Sequence, residues 1–96
     1  MTIKLCVLLW ATAGCEAALV DYEDTVLALI PQHGGQVVSR VRRLDRTEGP
    51  FEVQLITFPD DDSVSDYMND PVRQSLADVH RRAIARTEVI PIEIVV

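Results

Sequence analysis

Two side chains in the second half of the sequence, His80 and Tyr67, have the chemistry needed for proton transfer. An imidazole titrates near neutral pH and can serve as a general base or a metal ligand, and His80 follows Val79 on the apolar side of a predicted helix. No acidic or nucleophilic residue lies at a recognisable catalytic spacing from His80, so the alternative is a histidine at the edge of the core that bonds backbone or water. His80 and Tyr67 are therefore the candidate catalytic residues, each for proton transfer.

Three further residues, Trp10, Arg42 and Asn69, are suited to binding a ligand. Trp10 ends a predicted central strand, where an indole can form the wall of a cavity. The guanidinium of Arg42 is suited to holding a carboxylate or a phosphate. Asn69, like Tyr67, lies beside a predicted helix break, and such a break leaves backbone groups free for a ligand. The alternative interpretation is that these residues serve packing and capping alone.

Eight of the nine basic residues are arginines, and they fall into two clusters. The first cluster is Arg40, Arg42, Arg43 and Arg46, and the second is Arg73, Arg81, Arg82 and Arg86. One interpretation is an anion-binding cavity mouth, and the alternative is a solvated surface on which arginines pair with acidic residues. The net charge of −6 and the lack of a spaced aromatic pair in residues 51–58 argue against a nucleic-acid partner.

The motifs of metal and nucleophile chemistry are missing. Asp60-Asp61-Asp62 has no EF-hand spacing and is better explained as a helix cap. Cys6 and Cys15 fit no zinc or redox spacing, and we expect both to be free thiols. No Ser-His-Asp or Cys-His arrangement and no glycine-rich phosphate loop is present. We therefore expect no metal and no cofactor.

Length and composition indicate one globular domain over residues 1–96, with 48% hydrophobic residues. No apolar run approaches the ~20 residues that a membrane helix needs. Ile3–Ala11 is apolar, but it lacks the basic flank and the cleavage site of a signal peptide. We expect a cytoplasmic protein with no membrane partner.

The hydrophobic pattern predicts strands and helices in the order βαββαβ. The predicted strands cover residues 3–11, 36–44, 51–58 and 87–96. The first predicted helix runs from residue 15 or 16 to about His33; its apolar stripe is Leu19, Tyr22, Val26 and Leu29, and Asp21, Glu23 and Asp24 are expected to point to solvent. The second helical region follows Pro59, is interrupted at Asn69-Asp70, and is expected to start again at Pro71 with a stripe of Val72, Leu76, Val79 and Ala83.

This order favours an α+β, ferredoxin-like fold, a four-stranded antiparallel sheet with both helical regions on one face and the first and third strands in the centre. The first strand is nevertheless apolar on both sides, with Leu5 and Leu9 in one register and Leu8 and Trp10 in the other. Because an apolar face of this size is seldom left in water, we predict a homodimer through the open sheet face.

Several short motifs carry a family resemblance. They are Tyr22, His33-Gly34-Gly35, Phe58-Pro59-Asp60, Tyr67-Met68-Asn69-Asp70-Pro71, and the pair Gln74 and Leu76. With them the chain resembles the dimeric α+β barrel superfamily and, within it, a group of small uncharacterised bacterial proteins that form a domain of unknown function.

The resemblance implies a homodimer whose two sheets pack into a barrel, and a cavity in each subunit between sheet and helices. It leaves two functions open. One is a cofactor-independent enzyme, oxygenase-like or isomerase-like, on a small aromatic or lactone-like compound, with His80 or Tyr67 in proton transfer, Arg42 as the anion anchor and Trp10 as a wall. The other is a non-catalytic module that senses a metabolite or binds a partner. Haem degradation would additionally need His80 as an axial ligand.

Overall fold

The computed structural model describes residues 2–45 and 48–95. Arg46 of the first basic cluster, Thr47 of the predicted turn and Val96 of the predicted fourth strand lie outside the described residues. The strands are β1 (Ile3–Ala11), β2 (Gln36–Arg42), β3 (Glu52–Phe58) and β4 (Ile84–Pro91). The helices are α1 (Glu16–Leu27), α2 (Asp61–Met68), α3 (Pro71–Ser75) and α4 (Ala77–Ala83), with a 3₁₀ helix at Ile30–His33.

The four strands form one antiparallel sheet in the order β2-β3-β1-β4. The predicted order is confirmed, with β1 and β3 in the centre. Val7 pairs with Gln54 of β3 and with Val89 of β4, which places these three side chains on one face of the sheet.

The first helix is shorter than predicted. It ends at Leu27, and a separate 3₁₀ helix with Pro31 in its first turn carries the chain to His33. Gly34 ends that turn with φ of 78°, a left-handed conformation that glycine adopts without strain. At Gly35 an added Cβ would lie 2.8 Å from Ile30, from Phe58 and from a backbone oxygen, so the chain packs too closely there for a side chain.

The fourth strand begins three residues earlier than predicted, at Ile84, and it ends at Pro91. α4 leads directly into β4, and the amide of Thr12 donates to the carbonyl of Ala83 at 2.9 Å, which fixes this junction against the end of β1. Beyond Pro91, the amide of Ile92 still donates to the carbonyl of Lys4 at 2.9 Å.

Both predicted helix starts in the second half are confirmed. The Asp60 side chain accepts from the amide of Ser63 and begins α2, and the Asp70 side chain accepts from the amide of Val72 and begins α3 at Pro71. Val72 was expected in the apolar stripe, but it is exposed. No helix in the described ranges combines the length and the apolar content that crossing a bilayer requires.

The helices cover one face of the sheet, here called the inner face, and the other is the open face. On β3 the inner face carries Glu52, Gln54, Ile56 and Phe58, all buried, whereas Val53 and Leu55 lie on the open face. Glu23 of α1 was predicted to point to solvent, and this was wrong, because it lies buried against the inner face. It is four residues from both Leu19 and Leu27, so it shares their side of the helix.

Candidate functional site

A cavity of about 480 Å³ lies between the inner face of the sheet and the helices. Its apolar walls include Leu5, Val7, Leu27, Ile56, Phe58 and Val89. Its polar lining consists of Tyr22, Glu23, Gln54, Tyr67, Arg73 and His80, with Thr87 on β4. An apolar chamber with a few convergent polar groups is the usual form of a small-molecule site.

A second opening of about 310 Å³ adjoins this cavity on the helix side. It shares Tyr22, Met68, Arg73 and His80 with the cavity and adds Arg81 on α4. Tyr22, Met68, Arg73 and His80 line both spaces, and they form the mouth of the cavity where the two spaces join. Of the second basic cluster, Arg73 lies at this mouth, and Arg81 lines only the second opening.

Arg73 and Tyr67 are held together at this mouth. Nη1 of Arg73 donates to the phenolic oxygen of Tyr67 at 3.2 Å, and its Cζ lies 4.7 Å from the centre of the Tyr67 ring. Nε of Arg73 is buried and has no hydrogen-bond partner among the described residues. An unpaired buried donor is costly, so an acceptor supplied by a ligand or by water would relieve that cost.

Tyr67 is an anchor for this arrangement rather than a free acid. Its hydroxyl donates to the carbonyl of Val26 at 3.1 Å, and its ring packs against Phe58 at 5.5 Å and against His33 at 5.9 Å between centroids. Burial raises the pKa of Tyr67 to about 12, although the charge of Arg73 opposes the rise. The phenol therefore stays protonated at neutral pH.

His80 lies beside Tyr22, with the two rings edge to face at 5.4 Å between centroids. Burial lowers the pKa of His80, and the positive charge of Arg73 lowers it further. Its ring makes no hydrogen bond to any residue that the structure describes. A neutral imidazole in this position is able to accept a hydrogen bond or a proton from a ligand.

A hydrogen-bonded network of polar side chains runs from the cavity to the sheet edge. Nε2 of Gln54 donates to Oε1 of Glu23 at 2.8 Å and to Oε2 of Glu52 at 2.6 Å. Glu52 is fully buried, and its carboxylate accepts hydrogen bonds from Nε of Arg40 at 3.0 Å and from Nε of Arg42 at 2.7 Å. Arg40 extends this network, because its Nη1 donates to Oδ1 of Asp24 at 2.7 Å.

The two carboxyl groups that Gln54 contacts, Glu23 and Glu52, have opposite pKa shifts. Burial raises the pKa of Glu23; the Gln54 hydrogen bond opposes this rise, and the negative charge of Glu52 adds to it. Burial alone would raise the pKa of Glu52 too, but hydrogen bonds from Arg40, Gln54 and Arg42 outweigh it and lower that pKa. Environments that drive two carboxyl pKa values apart are a common feature of acid–base sites.

The structure brings together only two of the five residues that the sequence suggested for a site. His80 and Tyr67 line the cavity. Trp10 lies on the open face, where Arg86 packs over its ring at 4.5 Å, because its register with Arg86 places both side chains on that face. Trp10 is therefore not a wall of this cavity.

Arg42 and Asn69 are also outside the cavity lining. The guanidinium of Arg42 is engaged by Glu52, so its positive charge neutralises a buried carboxylate instead of meeting a ligand in the chamber. Asn69 is exposed at the end of α2, and its side-chain amide donates to the carbonyl of Ser65 at 3.0 Å. It therefore caps the helix.

Sequence reasoning missed Glu23, Gln54 and Tyr22 as cavity residues. Glu23 was detectable from its four-residue spacing to Leu19 and Leu27, and Gln54 from its alternation with Ile56 and Phe58 on β3. In the described ranges no group of three potential metal-ligating side chains comes together.

Comparison with known proteins agrees with this fold. A family model described as a domain of unknown function, DUF1330, matches residues 9–95. No curated protein matches the chain.

Three solved structures illustrate the likeness in fold. A protein of unknown function from Rhodopseudomonas palustris is 17% identical with a TM-score of 0.75, the match covering 98% of this chain and 82% of that one. A dimeric protein of unknown function with a ferredoxin-like fold from Bacteroides fragilis is 15% identical with a TM-score of 0.72, covering 97% and 96%. SnoaB, a cofactor-independent oxygenase from Streptomyces nogalater, is 13% identical with a TM-score of 0.70, covering 98% and 95%. The ferredoxin-like fold and the resemblance to small uncharacterised proteins are confirmed.

Proposed function

The chain belongs to the DUF1330 family, a domain of unknown function, and from that premise we propose that it binds a small organic molecule carrying one anionic oxygen group. The observation that supports this most directly is the guanidinium of Arg73, which lines an otherwise largely apolar cavity and has a buried Nε without a partner among the described residues. A carboxylate or phenolate would pair with it through charge-assisted hydrogen bonds.

The size of the cavity indicates the size of the ligand. Pockets that enclose small organic molecules typically measure ~300–1,000 Å³, and this one is about 480 Å³. Its aliphatic and aromatic walls suit one or two fused rings. Tyr67 would hold Arg73 in place, and His80 would meet the polar end of the ligand as a neutral acceptor. Trp10, Arg42 and Asn69 are not part of this proposal.

We also propose that the protein is a homodimer through its open face. Val53, Leu55 and Leu8 are only partly buried there, and Val41 and Ile90 are 55% and 44% exposed. An apolar surface of this extent usually marks an interface. The dimeric state of the Bacteroides fragilis protein supports the same assembly for this chain.

We propose in addition that the cavity catalyses a reaction on the bound molecule. The cofactor-independent oxygenase SnoaB shares the fold, and the cavity holds ionisable groups whose pKa values are shifted. The second candidate function is a non-catalytic module that binds a metabolite without turnover. The free thiols of Cys6 and Cys15 support a reducing, cytoplasmic location for either function.

Binding of 2-naphthoate and its uncharged amide, 2-naphthamide, measured by calorimetry, tests the proposed function. We expect 2-naphthoate to bind at least tenfold more tightly, because a hydrogen bond to a charged group contributes about 1.5–3 kcal/mol. Arg73→Gln should remove this preference, and Arg82→Gln on the exposed side of α4 should retain it. Equal binding of acid and amide, or no effect of Arg73→Gln, would contradict the proposal.

A further inference from the structure

Glu23 is a carboxyl group buried in the cavity wall. It is 5% exposed, lies on α1 and lines the cavity. Within the described residues its carboxyl group receives one hydrogen bond, from Gln54, and it forms no ion pair. Burying a carboxyl group with so little compensation is costly, and such groups concentrate where a protein uses them.

The orientation of Glu23 is fixed by its neighbours. Glu52 is held as a carboxylate by two arginines, so the amide of Gln54 must turn its NH₂ group towards it. The second hydrogen of that NH₂ group then points to Glu23 at 2.8 Å. Gln54 thereby holds one oxygen of Glu23, and the carboxyl group belongs to the cavity wall in a defined position.

Glu23 and Arg73 line the same cavity without meeting. Arg73 is near enough to act on Glu23 electrostatically, since its charge acts to lower the pKa of Glu23. Yet within the described part of the chain the two form no ion pair. A base and a cation that border one chamber separately leave room for a substrate to interact with both.

We propose that Glu23 moves a proton to and from a carbon atom adjacent to a carbonyl group, while Arg73 holds the carbonyl oxygen. This inference rests on the proposed function and names its substrate class, a small, largely apolar ketone or lactone with an acidic C–H bond, whose enolate oxygen is the anionic oxygen group that Arg73 would pair with. The net reaction is an isomerisation or tautomerisation.

The step balances without a co-reactant. A carboxylate oxygen of Glu23 forms a bond to the proton, and the electron pair of the broken C–H bond becomes the new C=C bond. The π pair of the carbonyl moves onto its oxygen, which Arg73 stabilises as an enolate. In the return step the same carbon, or one conjugated with it, takes the proton from Glu23, and the carboxylate is restored.

The environment of Glu23 supports this role. Burial raises its pKa, so its carboxylate is a stronger base than an exposed one. The ionisable groups around it are Tyr22 on the same helix, Glu52 on β3, Arg40 on β2, Tyr67 on α2 and Arg73 on α3. His80 in the same cavity is the competing base, and its pKa is shifted down rather than up.

Deuterium uptake by 2-tetralone in D₂O, followed by proton NMR, tests the inference. Its C1 protons exchange through an enolate, and the probe resembles the rings of 2-naphthoate in size. We expect the protein to accelerate exchange by about 100-fold or more over buffer, the usual contribution of a positioned base. Glu23→Gln should bring the rate near that of buffer while 2-naphthoate still binds, whereas Arg82→Gln, on the exposed side of α4, should keep the exchange of the unaltered protein.

The outcomes separate the inference from the proposed function. If 2-naphthoate binds but exchange does not exceed that in buffer, the inference is overturned and the proposed function stands. If Glu23→Gln exchanges at the rate of the unaltered protein, Glu23 is not the base, and the inference again fails. If neither 2-naphthoate nor 2-tetralone binds, the proposed function and the inference fail together.

Discussion

The imidazole Nε2 of His33 lies 2.8 Å from Oδ2 of Asp70 and ties the end of the 3₁₀ helix to the start of α3. The other oxygen of Asp70 accepts the amide of Val72 at 2.8 Å. One carboxylate thus caps α3 and joins it to the segment that follows α1. Because Arg73 lies in α3, two residues after Pro71, this link positions the cation at the cavity mouth.

Asp70→Asn should destabilise the protein most near neutral pH. The hydrogen bond from His33, followed by the one from the Val72 amide, lowers the pKa of Asp70 below that of the unfolded chain. A lowered carboxyl pKa gives stability that is present above the unfolded pKa and is lost as pH falls through the folded one. In urea unfolding between pH 3 and pH 7, the free energy of unfolding of Asp70→Asn should therefore fall less on acidification than that of the unaltered protein.

Asp66→Asn is the matched control, since Asp66 is exposed on the neighbouring helix α2. It should leave the pH dependence of unfolding close to that of the unaltered protein. An Asp70→Asn variant with the same acid dependence as the unaltered protein would contradict the link between His33 and Asp70.

Tyr67→Phe should weaken both stability and binding. The substitution removes the hydroxyl that donates to Val26 and that accepts from Arg73. We expect a loss of about 1 kcal/mol in the free energy of unfolding, typical of one buried hydrogen bond. Affinity for 2-naphthoate should fall several-fold because Arg73 loses its fixed position.

Calorimetry and urea unfolding measure the two effects of Tyr67→Phe separately. Phe51→Leu, a conservative change in the other part of the core, controls for a general loss of packing. If Tyr67→Phe destabilises the fold but binds 2-naphthoate like the unaltered protein, the proposed role of Tyr67 in holding Arg73 is wrong.

Leu8→Glu should separate the proposed dimer. Leu8 lies on the open face between its β3 partner Val53 and its β4 partner Glu88, and a charge buried in an interface without a partner is strongly unfavourable. Light scattering should give twice 10.7 kDa for the unaltered protein and 10.7 kDa for the variant. Ala18→Glu, on the exposed side of α1, should remain dimeric.

Trp10 gives an independent signal for the same interface, because it is the one tryptophan of the chain and lies on the open face. Leu8→Glu should shift its fluorescence to longer wavelength and increase quenching by acrylamide. A monomeric mass for the unaltered protein at micromolar concentration would refute the dimer.

The sequence allowed the sheet order to be predicted, because alternation along β1 and β3 and the position of the helices leave few topologies. It did not reveal whether Trp10 faces the cavity, since β1 is apolar on both sides. The helices pack on the side of the sheet that carries Leu9, so Trp10 lies on the opposite side. The start of β4 at Ile84 was missed because residues 84–86 are isoleucine, alanine and arginine, a mixture that suits a helix end equally well.

Glu23 was missed for a related reason. Three acidic residues, Asp21, Glu23 and Asp24, lie close together on α1, and a charged residue among them is normally assigned to solvent. Burial of a carboxyl group depends on partners from distant strands, here Gln54 of β3, and such long-range pairing is not visible in the local pattern. A site residue that departs from the usual exposure of charged side chains is difficult to predict from sequence.

Glu23→Gln should make the protein more stable at high pH. Because burial raises the pKa of Glu23 in the folded protein, the folded state binds a proton more tightly than the unfolded state. The stability from this proton is fully present below the unfolded pKa and is lost as pH rises through the folded pKa. Glutamine keeps the shape of the side chain without its charge. At pH 8 the variant should therefore unfold at a higher urea concentration, with a free energy of unfolding about 1 kcal/mol larger than that of the unaltered protein. The difference should shrink at pH 4.

Glu16→Gln, in the exposed first turn of α1, is the control and should show no such pH-dependent gain. A stabilised but exchange-deficient Glu23→Gln variant is the combination expected of a residue kept for chemistry at the expense of stability. If Glu23→Gln is instead destabilised equally at pH 4 and pH 8, the carboxyl group serves the fold, and its buried position needs no functional explanation.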